Sequence, residues 1–355
     1  MLSLFSAWGQ RLSSRLLSPL FLLPKQSKLS SLSLSLGLAL GLTVGFSSPA
    51  YALAASSTPL EGVQIGVAYK LPNSKQIYGK NQDLYFHPAS TQKMLTALAA
   101  MLYLGPDYEF TTRLDVQSSA VAANNKLNVD RQGVLHSNVI VKFTGDPTMR
   151  IDHYRTLLSM LQRHGVKQIA GKVILDVSRF GGPSRANGWS WSDLPACFTA
   201  PSAPIILNRN CTYAQLTTEG PGSHATPLVP AGIPIDIVSD VVAVNANDYG
   251  GDCILEANLY IDNKYHLTGC VPVSPKSKPW PLSLAIADAE RWGLDWTRSI
   301  LRRLNIRVTG GIEISHTPDP DTVTIAQRTS PPLREMVEYM LQKSNNLYAD
   351  SIAKN

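Results

Sequence analysis

Residues 94–102 are apolar at almost every position, with Met94, Leu95, Leu98, Met101 and Leu102 set among the small residues Ala97, Ala99 and Ala100. The spacing predicts a helix. A helix apolar on so many sides requires burial on most of them. The six residues before it read Pro88-Ala89-Ser90-Thr91-Gln92-Lys93. Ser90 and Lys93 stand one helical turn apart, so both side chains project from one face. A serine hydroxyl is a poor nucleophile until a neighbour takes its proton. A lysine can take it if burial or nearby positive charge holds the amine neutral. Lys93 on the first turn of a buried helix would be partly desolvated, and the helix N-terminus would offer amide N–H groups to an oxyanion near Ser90. The local alternative is that Ser90 is an ordinary helix N-cap. The string S-x-x-K is also cheap. A second copy, Ser351-Ile352-Ala353-Lys354, is read as accidental.

Composition narrows the class. The chain has 355 residues, 44% hydrophobic and 16% charged, which suits two or three globular domains. Its formal charge is +6, but residues 1–52 hold Arg11, Arg15, Lys25 and Lys28 and no acid. Without them 28 basic residues face 26 acidic ones, which gives no electrostatic case for binding nucleic acid. The basic start runs into an apolar, small-residue stretch at 32–46 and then Ala50-Tyr51-Ala52, an A-x-A cleavage pattern. Residues 1–52 therefore read as a secretory signal peptide, and the chain as exported. An uncleaved anchor is the alternative, but the stretch is short and interrupted by serine. No other segment is apolar enough to span a membrane.

The cysteines are Cys197, Cys211, Cys253 and Cys270. In an exported chain an even count suggests disulfides, against the alternative of four reduced thiols. Three pairings are open. Cys197–Cys211 with Cys253–Cys270 is favoured because the second pair brackets an expected hairpin. The seven histidines show no ligand spacing, so no metal site is expected.

Residues 63–69 and 76–80 read as a hairpin around a Leu-Pro-Asn-Ser turn. Strands are expected at 113–116, 134–143, 172–176, 235–245 and 254–261, with one helix near 154–164. Residues 272–279 read as a Pro/Ser/Lys linker. Beyond it, 288–304 is an amphipathic helix, 307–315 a strand, and 332–343 a helix with Ser330 as N-cap. The expectation is one domain, 53–109 and 280–355, interrupted by a β-rich insertion at 110–279 of one or two subdomains. Directly after the last helix comes Lys343-Ser344-Asn345-Asn346. Ser344 and Asn346 can present a hydroxyl and an amide to a nucleophile across a cleft. The alternative is an ordinary helix C-cap.

S-x-x-K on an apolar helix with S-x-N far downstream resembles the penicillin-recognising serine hydrolases, whose motifs are S-x-x-K, S-D-N and K-T-G. The stretch from Pro88 to Ala100 resembles the active-serine helix of the D-alanyl-D-alanine carboxypeptidase/endopeptidases, the low-molecular-mass class C penicillin-binding proteins. Thr144-Gly145-Asp146-Pro147-Thr148, Trp189 to Asp193, Asn208 to Cys211, and His266 to Cys270 resemble segments of their insert. Lys343 to Leu347 with Ala349-Asp350 resembles their K-S-D-N-x-x-A-D, with Asn345 where Asp is frequent. The similarity covers residues 57–355.

The resemblance implies an α+β, transpeptidase-like domain. It implies acyl transfer at a D-Ala-D-Ala bond, with Ser90 as nucleophile, Lys93 as base, Ser344 as proton relay and Asn346 holding Lys93 or the substrate amide. Asp193 would touch the peptidoglycan side chain. No cofactor is needed. The implied partners are peptidoglycan peptide stems and β-lactams, in the periplasm. K-T-G does not occur: Thr144-Gly145, Thr268-Gly269 and Thr309-Gly310 follow Phe143, Leu267 and Val308. The expectation is thus a transpeptidase-like domain incomplete at its C-terminus, lacking strands that would cover the Ser90 helix. A catalytically inactive, wall-associated remnant and a β-lactamase are the alternative functions, the large insert arguing against the second.

Overall fold

The computed structural model describes residues 62–123 and 126–355. The signal-peptide reading of residues 1–52 lies outside the described residues. The chain divides into two compact units between Leu84 and Tyr85. Residues 53–109, expected to belong to one domain, are therefore split.

The first unit contributes a hairpin of β1 (Val67–Lys70) and β2 (Ile77–Lys80). Its antiparallel register pairs Tyr69 with Tyr78, whose rings stack at 5.7 Å. Gly79 is required there, because a Cβ would lie 1.9 Å from the Val67 carbonyl oxygen.

The second unit runs in chain order through α1 (Lys93–Tyr103), β3 (Thr111–Gln117), β4 (Val139–Lys142), α2 (Ile151–Arg163) and β5 (Val173–Asp176). There follow β6 (Cys211–Thr217), β7 (Thr226–Leu228), β8 (Asp236–Ser239), β9 (Val242–Val244), β10 (Leu255–Leu259), β11 (Lys264–Pro272) and β12 (Trp280–Ala285). The last elements are α3 (Ala289–Arg303), β13 (Ile312–Ser315), β14 (Thr322–Thr329), α4 (Leu333–Lys343) and α5 (Asn346–Ala353).

The central sheet has the order β13-β5-β4-β3-β14. β13, β5 and β4 are parallel, and β3 is antiparallel to β4 and β14. Leu114, Val116, Val139, Val141, Val173 and Leu175 form one core with Leu158 of α2 and Trp292, Trp296 and Ile300 of α3. The Tyr154 hydroxyl bonds the Thr297 hydroxyl at 2.7 Å inside it, which satisfies two buried polar groups. Buried Asp115 ties three strands. It meets Lys142 Nζ at 2.9 Å and accepts from the hydroxyls of Thr322 at 3.0 Å and Thr324 at 2.8 Å. Breaking such a pair by removing one partner costs about 3–5 kcal/mol.

Among the described residues of the second unit three smaller sheets accompany the central one, one of them a parallel trio of two-residue strands at Val134–Leu135, Gln168–Ile169 and Arg307–Val308. β11 is flanked by β8, β9 and β10, and β6 lies between β12 and β7. β10 and β11 form the expected hairpin, bracketed by the Cys253–Cys270 disulfide with Cα atoms 5.5 Å apart. The second disulfide joins Cys197 to Cys211 across 5.3 Å.

The chain leaves and re-enters the helical layer at one point. Phe110 N–H donates to Ser330 Oγ at 3.0 Å, and Ser330 N–H donates to the Phe110 carbonyl at 2.9 Å. The return read at residue 280 thus precedes the meeting of Phe110 and Ser330 by some fifty residues. β12 pairs with β6, α3 packs into the central core, and β14 pairs with β3 from Thr322↔Gln117 to Thr329↔Thr111. The Pro/Ser/Lys composition of 272–279 marks a loop between two strands rather than a domain boundary. Ser330 is not the N-cap of α4; its hydroxyl serves Phe110, and Pro332 occupies the cap.

α1 packs on α4 and α5 through Ala97 and Ala100, against Phe110, Leu333, Met336, Met340, Ala349 and Ile352. Alanine on α1 and Ala349 on α5 allow close approach of the two helices. The opposite stripe is open: Met94 is 63% exposed, Leu95 61%, Leu98 52% and Leu102 68%. Within the second unit α4 and α5 cover one face of α1, short of the burial on most sides expected from the apolar pattern. Among the described residues no helix is long and apolar enough to cross a membrane.

Candidate active site

Pro88 is followed by a 3-10 turn, Ala89–Gln92, and α1 begins at Lys93. Ser90 thus sits on the tighter turn ahead of α1. Residues three apart eclipse one another in such a turn, which aligns Ser90 with Lys93. Ala89 adopts φ 44°, a left-handed conformation unusual for a residue with a Cβ. Such backbone strain collects at functional sites. Ser90 is not a cap: its side chain makes no capping bond. The expectation of free amides beside it does not hold for two of them. The N–H groups of Thr91 and Lys93 are engaged by carbonyls of the turn itself.

Lys93 is buried, 7% exposed, although its neighbours Met94 and Leu95 are open. Its Nζ lies 3.0 Å from Ser90 Oγ and 2.5 Å from Asn346 Oδ1. Burial pushes the Lys93 ammonium below the usual lysine range, and the Asp350 carboxylate partly opposes this. A neutral Lys93 is the form that can accept a proton from Ser90.

The second motif is built by a helix break. α4 ends at Lys343, and Ser344 takes the left-handed C-cap conformation at φ 50°. Glycine usually fills that position, and Ser344 bears the local cost while aiming its hydroxyl at Ser90 Oγ, 2.6 Å away. Ser344 is therefore a helix C-cap whose hydroxyl also meets Ser90. Asn345 caps α5, its side chain accepting from Tyr348 N–H at 3.0 Å. Asn and Asp serve equally as N-caps, which explains why Asn is tolerated there. Asn346 opens α5, accepts from Lys93, and donates through Nδ2 to the Phe198 carbonyl at 2.9 Å. The structure thus brings Ser90, Lys93, Ser344 and Asn346 into one hydrogen-bonded group, across some 250 residues of sequence.

Asp193 lies apart from that group. It ends the 3-10 turn Trp191–Asp193, and its carbonyl accepts from Thr199 Oγ1 at 3.1 Å and Ala196 N–H at 2.8 Å. Its carboxylate bonds none of the four. The segment it belongs to does reach them, through Phe198, which neighbours the Cys197–Cys211 bridge. Cys253 and Cys270 bridge a hairpin of the small sheet instead.

Several contributors escape a sequence reading. The Phe198 carbonyl is a backbone group with no residue signature. Asp350 follows Asn346 by one turn of α5 and was readable only as part of the K-S-x-N-x-x-A-D string. Burial raises its carboxyl, while Lys354 and Lys93 lower it. Behind α5, the buried Ser351 hydroxyl bonds the Gly145 carbonyl, and Asp146 pairs with Arg328 at 3.0 Å. The Gly145-Asp146-Pro147-Thr148 segment is thereby a support for the helix carrying Asn346.

Known proteins share this arrangement of chain. The chain is 34% identical to the D-alanyl-D-alanine carboxypeptidase DacB of Haemophilus influenzae, over 92% of this chain and 66% of that one. It is 21% identical to a D-alanyl-D-alanine carboxypeptidase of Actinomadura sp. strain R39, over 83% of this chain and 54% of the relative. The crystal structure of H. influenzae penicillin binding protein 4 (dacB) superposes with a TM-score of 0.69 at 33% identity, covering 78% of this chain and 58% of that one. A second structure, complexed with a novel β-lactam, gives a TM-score of 0.67 at 31% identity, with 82% and 60% covered. The chain thus spans roughly three-fifths of the length of these relatives. The model of the D-Ala-D-Ala carboxypeptidase 3 (S13) family matches residues 51–355, and with the motif geometry in place the chain belongs to that family.

Proposed function

We propose that the chain is a serine-type D-Ala-D-Ala carboxypeptidase/endopeptidase that acts on peptidoglycan peptide stems through an acyl-enzyme at Ser90. One observation carries the reading: Lys93 Nζ sits between Ser90 Oγ at 3.0 Å and Asn346 Oδ1 at 2.5 Å, with the Ser344 hydroxyl 2.6 Å from the same Ser90 oxygen. Neutral Lys93 takes the Ser90 proton as Oγ attacks the carbonyl of the penultimate D-Ala. Asn346 holds the Lys93 amine in line, and its own amide is fixed by the Phe198 carbonyl. Ser344 passes the proton to the leaving D-Ala nitrogen, and the bond to that residue breaks. Water then hydrolyses the ester at Ser90 and restores the hydroxyl. A β-lactam acylates the same oxygen, its ring amide taking the place of the peptide bond. Asp193 contributes to substrate recognition from the 191–199 segment. The chain works outside the cytoplasm, in the periplasm, once its signal peptide is removed. The insert of this enzyme runs from Thr111 to Thr329, between the paired Phe110 and Ser330.

The direct test is release of free D-alanine from an acyl-D-Ala-D-Ala peptide, followed by mass spectrometry. Release that disappears in Ser90→Ala supports the reading. Binding of the peptide with no release in the unaltered chain would leave the wall-binding alternative in its place.

A further inference from the structure

The Asn346 side chain has two unlike ends, and only one of them suits Lys93. Oδ1 accepts a hydrogen bond, and Nδ2 donates. An N–H of the Lys93 amine given to Oδ1, 2.5 Å away, leaves the nitrogen lone pair for the Ser90 proton. Turned over, the amide would offer its own N–H to that lone pair and occupy it. Rotation about the last side-chain bond separates the two states, and the torsion itself is roughly two-fold, so it does not choose. The Phe198 carbonyl chooses. A carbonyl only accepts, so its place 2.9 Å from Nδ2 admits the donor end and turns Oδ1 to Lys93.

That carbonyl sits on an open turn. Phe198 is 52% exposed and lies in the 3-10 turn Cys197–Thr199, its ring against Trp189 alone at 5.6 Å. What holds the peptide in place is its two neighbours. Thr199 is buried; its hydroxyl reaches the carbonyls of Asp193, Leu194 and Ala196 within 3.1 Å, and its carbonyl accepts from Arg185 Nε at 2.8 Å. Cys197, on the other side, is bridged to Cys211. Cys211 opens β6 and pairs with Ala285 of β12. The residue before it, Asn210, is fully buried, accepts from Leu207 N–H at 3.1 Å, and donates to the carbonyls of Pro201 and Ile205, each at 2.9 Å. The bridge thus passes the rigidity of a paired strand to the turn that faces the catalytic amide. The Cys253–Cys270 bridge is the contrast. It closes the hairpin of β10 and β11, and among the described residues nothing in that hairpin bonds Ser90, Lys93, Ser344 or Asn346.

We propose that the Cys197–Cys211 disulfide is a positioning device for the reaction: by holding the Phe198 carbonyl it keeps the Asn346 amide turned with Oδ1 toward Lys93. The inference rests on the proposed function for the role of Lys93 as base. The two cysteines act through Phe198 and Asn346 and take no part in bond making. Both line a cavity of about 220 Å³ with Ser344 and Asn346, so a small reductant can approach the bridge from the catalytic side.

The test is the rate at which a fluorescent penicillin labels the full chain, followed over a range of penicillin concentrations. The amplitude counts folded, competent chains, the saturating rate reports the chemistry, and the half-saturating concentration reports binding. Cys197→Ala together with Cys211→Ala is expected to lower the saturating rate about ten- to hundredfold and to move the half-saturating concentration by less than about twofold. In a chain carrying Asn346→Ala the same pair of substitutions should change the rate by less than about twofold, because the group the bridge acts through is already gone. Cys253→Ala with Cys270→Ala should leave the saturating rate unchanged. If the chain without the Cys197–Cys211 bridge fails to fold, that bridge is reduced with dithiothreitol in the folded Cys253→Ala, Cys270→Ala chain, and the rate should fall and return on reoxidation. A saturating rate that survives loss of the bridge would overturn the proposal, as would an equal fall in the Asn346→Ala chain. A second readout needs no turnover. The Nδ2 protons of Asn346, observed by heteronuclear NMR, should exchange slowly with water in the bridged chain and quickly once the bridge is opened; exchange that does not change would overturn the proposal. A chain that takes no label but shows this change sustains the positioning and sinks the enzymatic reading; labelling at Ser90 with unaltered exchange does the reverse.

Discussion

The chain carries the same four-residue pattern twice, and the structure uses the two copies for unrelated purposes. Ser90 and Lys93 point at each other, 3.0 Å apart, at the entry to α1. Ser351 and Lys354 lie at the end of α5, and each turns to a different carbonyl. The Ser351 hydroxyl serves Gly145, and Lys354 Nζ donates to Pro183 at 2.8 Å and Ser202 at 2.7 Å. Spacing is identical, so spacing does not make the site. What differs is position on the helix. Ser90 stands on a turn ahead of a helix, where its side chain is free to meet a second motif. Ser351 stands inside a helix, fully buried, where its hydroxyl must be satisfied by the nearest backbone acceptor. The two lysines share one neighbour. Asp350 acts on both Lys93 and Lys354, and burial lowers both ammonium groups.

The strongest way to break the comparison is Lys93→Met. Loss of a positioned base is expected to slow acylation by about 10²- to 10⁴-fold, read as the labelling rate with a fluorescent penicillin. A labelling rate unchanged by this substitution would make the first pair as passive as the second. Ser351→Ala is expected to leave labelling in place and to destabilise the fold by about 1–3 kcal/mol, because the Gly145 carbonyl loses its partner. A chemical-denaturation midpoint checks this, and loss of labelling in a folded variant would contradict it. The smallest effect is expected from Asp350→Asn, which should shift the pH dependence of labelling. Acylation requires neutral Lys93, so the rate rises with pH as Lys93 loses its proton. The carboxylate of Asp350 favours the charged lysine. Removing it lowers the lysine further, and the rising limb should move to lower pH. A shift to higher pH would mean that Asp350 does not act on Lys93 as described.

Much of this site was legible in sequence, because its parts are local signals. Ser90 and Lys93 are one turn apart, Ser344 follows an amphipathic helix, and Asn346 follows two residues later. The disulfide favoured for Cys253 and Cys270 was also local, since a hairpin brings such residues together. What was not legible depends on partners far away in the chain. The apolar face of α1 signalled burial, yet Leu98 and Leu102 remain open because exposure depends on what packs against them. Residues 273–279 read as a linker because a Pro-rich loop between strands and a linker between domains share a composition. β14 was missed because its Thr-rich strand is specified by pairing with β3, some 200 residues earlier. The Phe198 carbonyl leaves no trace in residue type at all.

The central claim is that Ser90 is the acylated residue, and covalent capture tests it most directly. The chain is incubated with a fluorescent penicillin, digested, and the modified peptide sequenced by mass spectrometry. The account requires one adduct, on Ser90, absent from Ser90→Ala. An unlabelled chain, or a label that survives Ser90→Ala, would contradict it.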